Sequence, residues 1–246
     1  MNMFFIFIIL HWYLSLFSQT FFLHRYAAHS MFTMNRGWER FFFVFTWLTQ
    51  GASYLSPGKY GVLHRWHHEF TDTEEDPHSP SFTKGLFALM WKTYHIYQDI
   101  GKNWQRPDKH KKNLPSWDSF EIFAESMISR ISWVTLYIMF YIHFATQWWM
   151  WLFIPITILM GPVHGAVINY FAHKYGYRNF DTDDTSRNFL PVDVLMLGES
   201  YHNNHHKYMG RSNFGYKWWE VDPVFPIILL LEKMGVIKRK TLVVHE

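Results

Sequence analysis

The stretch GVLHRWHHEFTDTEEDPHSP, residues 61–80, decides the fold because it opens with three histidines, His64, His67 and His68. On a helix that advances about 100° per residue, positions i+3 and i+4 lie about 60° and 40° to either side of position i. All three imidazoles therefore project from one face of the helix. The spacing predicts a surface that binds metal.

The same motif returns far downstream as His202, His205 and His206 in GESYHNNHHKY. The chain has 16 histidines in 246 residues. At that frequency, chance gives an HxxHH string on the order of 0.07 times in the whole chain. Two copies therefore indicate a shared role rather than coincidence.

A third element, His24 and His29 in LHRYAAHS, uses a longer gap. Five residues correspond to about 140° of rotation on a regular α-helix. Both imidazoles can reach one centre only if the helix frays or bends, as is expected where an apolar segment meets water.

Two long segments carry no Asp, Glu, Lys or Arg: residues 2–23 and residues 131–172. A bilayer core of about 30 Å needs roughly 20 helical residues. The first segment is therefore long enough for one crossing and the second for two, with a turn near Gln147. A cleaved signal peptide is disfavoured, because no basic residue opens the chain and no small-residue cleavage site follows.

The shorter uncharged run 41–58 is broken by Gly51 and Pro57. A crossing here would leave His29 and His64 on opposite sides of the membrane. A shared site therefore requires an even number of crossings, most simply none, and the run is predicted to be an interfacial or re-entrant helix. All Lys and Arg lie within 25–130 or 174–240, so the positive-inside tendency places the histidines on the cytoplasmic side.

The predicted fold is an all-α integral membrane protein with a single domain, 1–246. About three crossings and an interfacial helix form a stem under a cytoplasmic helical cap that holds a dimetal site. The expected location is a bacterial inner membrane. The predicted parts are the first crossing 1–23, the interfacial helix 41–58, the two-pass hairpin 131–172, and the cap 59–130 and 173–246.

The histidines outnumber the ligands that one metal accepts, since a structural zinc site closes with four. Asn169 and His173 stand four apart, so they share a helix face near the end of the hairpin. The chain has no cysteine, and imidazole suits iron, zinc and copper alike. A membrane site that faces hydrocarbon favours redox-active iron, because only an oxidant made from dioxygen attacks an unactivated C–H bond. The candidate ligands are His24, His29, His64, His67, His68, His173, His202, His205 and His206.

The segments LHRYAAHS, LHRWHHEFTDTEEDPHSP and GESYHNNHHKY resemble the three histidine boxes of the membrane fatty-acyl desaturases. NYFAHKYGYR resembles the additional Asn/His site of their Δ9 acyl-CoA branch. The resemblance implies two irons held by the nine histidines, with Asn169 reaching one of them through a water. It also implies a reaction that consumes dioxygen, two electrons and two protons and leaves a cis double bond in an acyl chain bound in a buried tunnel.

The box flanks supply further candidates. Asp76 and Glu199 are expected to orient imidazole N–H groups from behind the ligands. Arg187 and Asn188 match a polar pair of the family and are candidates for contact with the substrate headgroup or for a place behind the ligands. Animal relatives have a charged pair directly before the second box where this chain has Val62 and Leu63, so the acyl carrier stays open between CoA and another group.

The sequence contains no motif for haem, flavin or a pyridine nucleotide. Electrons are therefore expected from a separate cytochrome b5, ferredoxin or rubredoxin type of protein that docks on the basic cytoplasmic face. No basic run is long enough to indicate nucleic acid. Two other functions stay open: a hydroxylase or ketolase of lipids or carotenoids on the same scaffold, and a non-enzymatic membrane protein that stores or transports metal. A transporter would need polar or acidic residues within its crossings, and the hairpin has none that are charged.

Overall fold

The computed structural model describes residues 3–103 and 108–240 of the chain. This part of the chain is mostly helical, which confirms the predicted class. The helices are α1 (Met3–Ser18, continued as a π-helix over Gln19–Ala28), α2 (Arg36–Gln50), α3 (Pro57–Phe70), α4 (Leu86–Asn103), α5 (Asp108–Lys111), α6 (Asp118–Ala124), α7 (Met127–Phe144), α8 (Ile154–Ile158), α9 (Met160–Ala166, continued as a π-helix over Val167–Phe171), α10 (His202–Lys207) and α11 (Val224–Lys233).

Shorter elements complete the described chain. Single 3₁₀ segments span Gly51–Ser53, Pro80–Phe82 and Trp148–Phe153. Two strands, β1 (Phe32–Met34) and β2 (Ile237–Arg239), pair antiparallel. The all-α prediction did not include this pair, because three-residue strands are too short to give a period-two signal.

Within residues 3–103 and 108–240, two or three helical segments are long and apolar enough to cross a membrane. They are Met3–Ala28, Met127–Phe144 and the bent pair Trp148–Ile158 with Met160–Phe171, whose two parts meet at 78°. The bend has a local cause, since Pro162 has no N–H to donate to the carbonyl of Ile158 one turn earlier. The number of segments agrees with the predicted first crossing and two-pass hairpin.

The run 41–58 forms most of α2 and the turn that follows it. Asn35 caps α2, because its side chain accepts a hydrogen bond from the backbone N–H of Trp38. The helix ends at Gly51, whose φ of +54° suits glycine. A Cβ at this position would also overlap the hydroxyl of Tyr137 on α7. The predicted break therefore lies where the chain contacts α7.

Helix α3 carries the second histidine box across the π-helical end of α1. Ser56 caps it and Pro57 occupies its first turn. The two helices approach closely at Gly61, where a Cβ would lie 3.3 Å from the carbonyl oxygen of Ala27. This contact brings the first and second boxes together. The interfacial location of 41–58 and the cytoplasmic side of the cap stay predictions, and residues 1–2, 104–107 and 241–246 of the predicted domain lie outside the described ranges.

The main hydrophobic core lies beside the first box. Phe21 and Phe22 on α1 pack with Phe42 and Phe43 on α2. The C-terminal segment closes this core from the other side through Val224, Ile228, Val236 and Ile237. The third box is thereby fixed against the end of α1.

Candidate metal centre

The structure brings all nine candidate histidines together, in two adjacent groups. Within each group, one ligand atom from every residue lies within 4.8 Å of the others. All nine rings are buried or partly buried. The five-histidine group consists of His24, His29, His64, His68 and His205, and the four-histidine group consists of His67, His173, His202 and His206.

The ring nitrogens in these groups point at one another at short range. Nε2 of His64 lies 2.8 Å from Nε2 of His29 and 2.9 Å from Nε2 of His68. Nε2 of His205 lies 3.0 Å from the same atom of both His24 and His68. Nitrogens bound about 2.1 Å from one ion and at right angles to each other would lie about 3.0 Å apart. The spacing therefore fits a metal between them.

The geometry of the four-histidine group also fits a bound metal. Nε2 of His173 lies 3.0 Å from Nε2 of His202. The Nε2 atoms of His67 and His206 are buried and have no hydrogen-bond partner among the residues that the structure describes. A buried polar atom without a partner reduces folding stability by about 1–3 kcal/mol. A ligand that binds these nitrogens would remove that cost. A bound metal ion is such a ligand.

A π-helix explains how His24 and His29, five residues apart, can face the same centre. The end of α1 is π-helical over Gln19–Ala28, and the N–H of His29 donates to the carbonyl of His24 at 3.1 Å. In a π-helix the residue five positions on lies one turn further along. His24 and His29 therefore share a face without the fraying or bending that the sequence suggested.

Each HxxHH motif divides its histidines between the two groups. In the second box, His64 and His68 join the five-histidine group and His67 turns to the other. In the third box the assignment is reversed, because His202 and His206 join the four-histidine group while His205 joins the five. Positions i+3 and i+4 are about 100° apart on a helix. Two facing helices of this kind can therefore serve two centres.

Both carboxylates that were expected behind the candidate ligands contact ring nitrogens. Oδ2 of Asp76 lies 2.9 Å from Nδ1 of His67, and the Asp76 side chain is fully buried. Oε2 of Glu199 lies 2.7 Å from Nδ1 of His24. An imidazole whose Nδ1–H is held by a carboxylate keeps its Nε2 lone pair for a metal.

Two further carboxylates in the same position were missed by sequence reasoning. Oδ2 of Asp72 lies 3.2 Å from Nδ1 of His173, and Oδ2 of Asp184 lies 2.8 Å from Nδ1 of His206. Burial acts to raise the pKa of Asp184, but the hydrogen bonds from His206 and Ser186 hold that pKa below its ordinary value. Both acids belong to acidic runs, TDTEED and DTDD, and the density of acids beside the boxes was the available signal.

Five of these imidazoles are held neutral by burial. Burial lowers the pKa of His64, His68, His202 and His205 well below its ordinary value. Burial also lowers the pKa of His206 to about 4, although its contact with Asp184 acts in the opposite direction. At neutral pH these rings are therefore unprotonated, as a metal ligand must be.

His78 is a third residue that the sequence reasoning missed. It is buried, and in the described part of the chain neither of its ring nitrogens has a hydrogen-bond partner. Its ring centroid lies 4.3 Å from that of His67. With His67 and Asp76 it forms a third set of close potential ligands. Its sequence DPH belongs to the flank of the second box.

The remaining candidates occupy different positions. Asn169 lies on the π-helical end of α9 and lines the cavity that also borders His202. Asn188 is fully buried, and its amide binds Asn204 and the backbone N–H of Asn203 at the start of α10. It therefore lies behind the third box rather than at a surface that could meet a headgroup. Arg187 is partly exposed and donates to the carbonyl of Gly176.

A cavity of about 430 Å³ reaches the two histidine groups. Its walls come from α1, α3, α4 and α9, and one wall is formed by His24, His64, His202 and Glu199. Most of the remaining lining is apolar or aromatic, including Leu16, Leu55, Leu63, Met90, Ile168 and Met196. The arrangement suits a hydrocarbon chain that ends against metal ligands.

Comparison with known proteins points to the same chemistry. A hex-5-enoyl-[acyl-carrier protein] acetylenase of Moorena producens is 28% identical over 92% of this chain and 73% of its own length. Delta-9 acyl-lipid desaturase 1 of Arabidopsis thaliana is 29% identical, over 87% of this chain and 67% of its own length. The sn-1 stearoyl-lipid 9-desaturase of Synechocystis is 31% identical, over 87% of this chain and 64% of its own length.

The family assignment rests on nearly the whole chain. The sequence model of the fatty acid desaturase family matches residues 1–236, which include all nine histidines of the two groups. The chain belongs to the fatty acid desaturase family and is a membrane-associated oxidoreductase that acts on fatty acyl chains.

Proposed function

We propose that this protein is an oxygen-dependent desaturase that introduces a cis double bond into a saturated acyl chain at a histidine-ligated di-iron centre. The observation that carries the proposal is the convergence of nine histidines in two buried groups, three of which, His24, His64 and His202, line an apolar cavity. Saturated hydrocarbon offers no acidic proton and no leaving group. An enzyme that binds such a chain in this cavity therefore needs an oxidant, because an acid or a base cannot attack it.

The two groups divide the ligands in this proposal. The five-histidine group would hold one iron and the four-histidine group the other, with Asn169 completing the second through a water. Asp72, Asp76, Asp184 and Glu199 fix the Nδ1–H of one histidine each, so that the Nε2 lone pair faces the metal. Their four negative charges also offset the positive charge of two metal ions in a dry site.

The reaction balances with one molecule of dioxygen, two electrons and two protons. Two neighbouring methylenes lose one hydrogen each, and the products are a cis alkene and two waters. Bound iron would supply the oxidising power that dioxygen needs to attack an unactivated C–H bond. The protein holds the acyl chain along Leu16, Ile168 and Met196, keeps bulk water away, and presents two adjacent carbons to the histidine wall.

The membrane setting follows from the distribution of charge. All Lys and Arg lie within 25–130 or 174–240, the ranges that contain or directly adjoin the nine candidate ligands. This distribution favours a cytoplasmic catalytic face in a bacterial inner membrane. A separate electron-transfer protein of the cytochrome b5, ferredoxin or rubredoxin type would supply the electrons. Lys207 is exposed at the end of α10, directly after the third box, and offers an acidic carrier a contact next to the site.

The test is a fatty-acid profile of a host that expresses the protein. Wild type is expected to produce a new monounsaturated chain, His205→Ala to produce none, and the exposed control His95→Ala to match wild type. Hydroxylated or keto products would assign the chain to the related oxygenases instead. An unchanged profile, together with protein that retains zinc and consumes no oxygen when reduced, would favour a metal-storage role.

A further inference from the structure

The loop that precedes the third histidine box, residues 189–201, runs along α1 from the histidine groups into a candidate membrane segment. At the end nearest the box, Glu199 contacts the ring of His24. At the far end, the carbonyl of Leu195 accepts a hydrogen bond of 3.0 Å from the indole N–H of Trp12. Between these two contacts, Met196 is buried in a cluster with side chains of α1 and α9. The loop therefore follows α1 over several helical turns.

The depth of the loop follows from the positions of its two contacts on α1. Trp12 lies twelve residues before His24, which is roughly 15–18 Å along a helix. A helical side chain also points back toward the N-terminus of its own helix, so the indole lies further still from His24. The helix that carries both residues is long and apolar enough to cross a membrane, and the bilayer core is about 30 Å thick. With His24 near the edge of that core, the carbonyl of Leu195 lies inside it.

The outer surface of the loop is apolar. Val192, Val194 and Leu195 are 58%, 58% and 52% exposed. The two charged residues of the loop, Asp193 and Glu199, are both buried. Large aliphatic side chains that are grouped on a surface without charge mark a contact with lipid or with another protein.

The backbone of the loop is irregular, but many of its polar groups are paired within the protein. Asp193 is fully buried, and its carboxylate accepts hydrogen bonds from the N–H groups of Met196 and Ser200 at 2.7 and 2.8 Å. The N–H of Asp193 donates to the hydroxyl of Tyr201 at 3.2 Å. Non-helical backbone is tolerated at membrane depth only where protein supplies such partners. The loop meets this requirement, which a loop in water would not have to meet.

We propose that residues 189–201 form a re-entrant loop that enters the bilayer beside α1, and that Val192, Val194 and Leu195 face lipid hydrocarbon. The partner of this surface is the acyl-chain region of the bilayer. The loop adds a membrane contact to those of the candidate spans. It also fixes the third box against the stem, because it ends directly before His202. The inference depends on neither the metal nor the reaction.

The chain has no cysteine, so a single introduced thiol carries a nitroxide label at one known position. Val192→Cys and Val194→Cys place the label on the loop. Leu10→Cys, an exposed residue of α1 close to Trp12 in the chain, is the lipid control, and exposed Asp183→Cys is the aqueous control. Each full-length variant is reconstituted in phosphatidylcholine vesicles. Electron paramagnetic resonance then measures collisions of the label with dioxygen, which concentrates in hydrocarbon, and with a water-soluble nickel chelate.

Both loop labels are expected to give a ratio of oxygen to nickel collisions within about twofold of the Leu10 label and about tenfold or more above the Asp183 label, because hydrocarbon excludes polar solutes. Two loop positions guard against a label that disturbs its own site. Nickel collisions as frequent as those at Asp183 would place the loop in water and overturn the proposal. Labels at both positions that meet neither reagent would also overturn it, because protein would then cover the surface.

The link between the loop and the third box has its own test. Val194→Asp places a carboxylate where lipid is expected, which favours expulsion of the loop from the bilayer. Val194→Ala keeps the position apolar and is the control. The affinity of metal-free Val194→Asp for Fe²⁺, measured in vesicles without oxygen, is expected to fall by about tenfold, while Val194→Ala stays within about twofold of wild type. Equal affinities of the two variants would contradict the role of the loop in fixing the third box.

Discussion

Nε2 of His68 lies 3.0 Å from Nε2 of His205, although 137 positions separate the two residues in the chain. His68 closes the second box and His205 lies in the middle of the third. The contact shows that the two HxxHH helices face each other rather than stand side by side. Each helix consequently contributes to both histidine groups, and loss of either helix would disturb both.

The carboxylate behind His206 gives a first prediction. Asp184→Asn keeps the shape of the side chain but removes the negative charge that holds Nδ1–H of His206. Metal affinity is expected to fall by about 10-fold to 100-fold, as is usual for such partners. Asp183→Asn, the exposed neighbour, should bind metal like wild type. Titration of metal-free protein with Fe²⁺ in the absence of oxygen measures both, and equal affinities would show that Asp184 has no part in positioning the ring.

A second prediction concerns the stability of the metal-free protein. Burial lowers the pKa of His206 from 6.5 to about 4. Between these values the unfolded chain binds a proton that the folded chain does not, so stability falls with falling pH. Above pH 6.5 the ring is neutral in both states and this contribution is constant. His64, His68 and His205 act in the same direction, because burial lowers their pKa as well.

The measurement is the thermal midpoint of chelator-treated protein in detergent at about pH 7 and about pH 5. The midpoint is expected to be lower in the acidic sample. A midpoint that does not change across this interval would contradict the neutral, buried state assigned to the histidines.

A third prediction concerns Asn188, for which the sequence left open contact with the substrate headgroup or a place behind the ligands. Its side chain is fully buried and accepts hydrogen bonds from the backbone N–H groups of Asn203 and Asn204. Asn188→Ala leaves those donors unpaired, so a loss of about 1–3 kcal/mol in unfolding free energy is expected. Arg187→Ala, at the partly exposed neighbour, should cost much less. Chemical denaturation measures the unfolding free energy of both variants. Wild-type stability of Asn188→Ala together with a raised KM would instead support contact with the headgroup.

Gly176 and Gly85 offer a matched pair for the packing behind the third box. Both have positive φ, +118° and +93°, so alanine strains either backbone by about 1–2 kcal/mol. Only at Gly176 would the added Cβ overlap the carbonyl oxygen of Asn188, while Gly85 has open space. Gly176→Ala is therefore expected to cost about 1–3 kcal/mol more than Gly85→Ala. Equal losses in denaturant melts would contradict the close approach at Gly176.

Much of the architecture could be predicted because it depends on local signals. The uncharged segments gave the membrane helices, since their length and composition alone decide whether they can cross a bilayer. The repeated HxxHH motif predicted six of the nine histidines that the structure brings together. Gly51 marked the end of α2, because a positive φ requires such a residue.

Other features depend on contacts that no local pattern encodes. The π-helix at Gln19–Ala28 cannot be distinguished from an α-helix by periodicity over so short a stretch, although it decides how His24 and His29 meet. Asp72 and Asp184 look like ordinary surface acids until the third dimension places them behind His173 and His206. The small sheet of β1 and β2 joins segments about 200 residues apart.

The most direct test of the central claim is the metal content of protein purified from cells grown with iron. Two irons per chain are expected in wild type and in His95→Ala, with a clear loss in His67→Ala and in His205→Ala, one from each group. Reduced wild type should consume oxygen and both ligand variants should not. One metal per chain, or two zinc ions with no oxygen uptake, would contradict a di-iron desaturase.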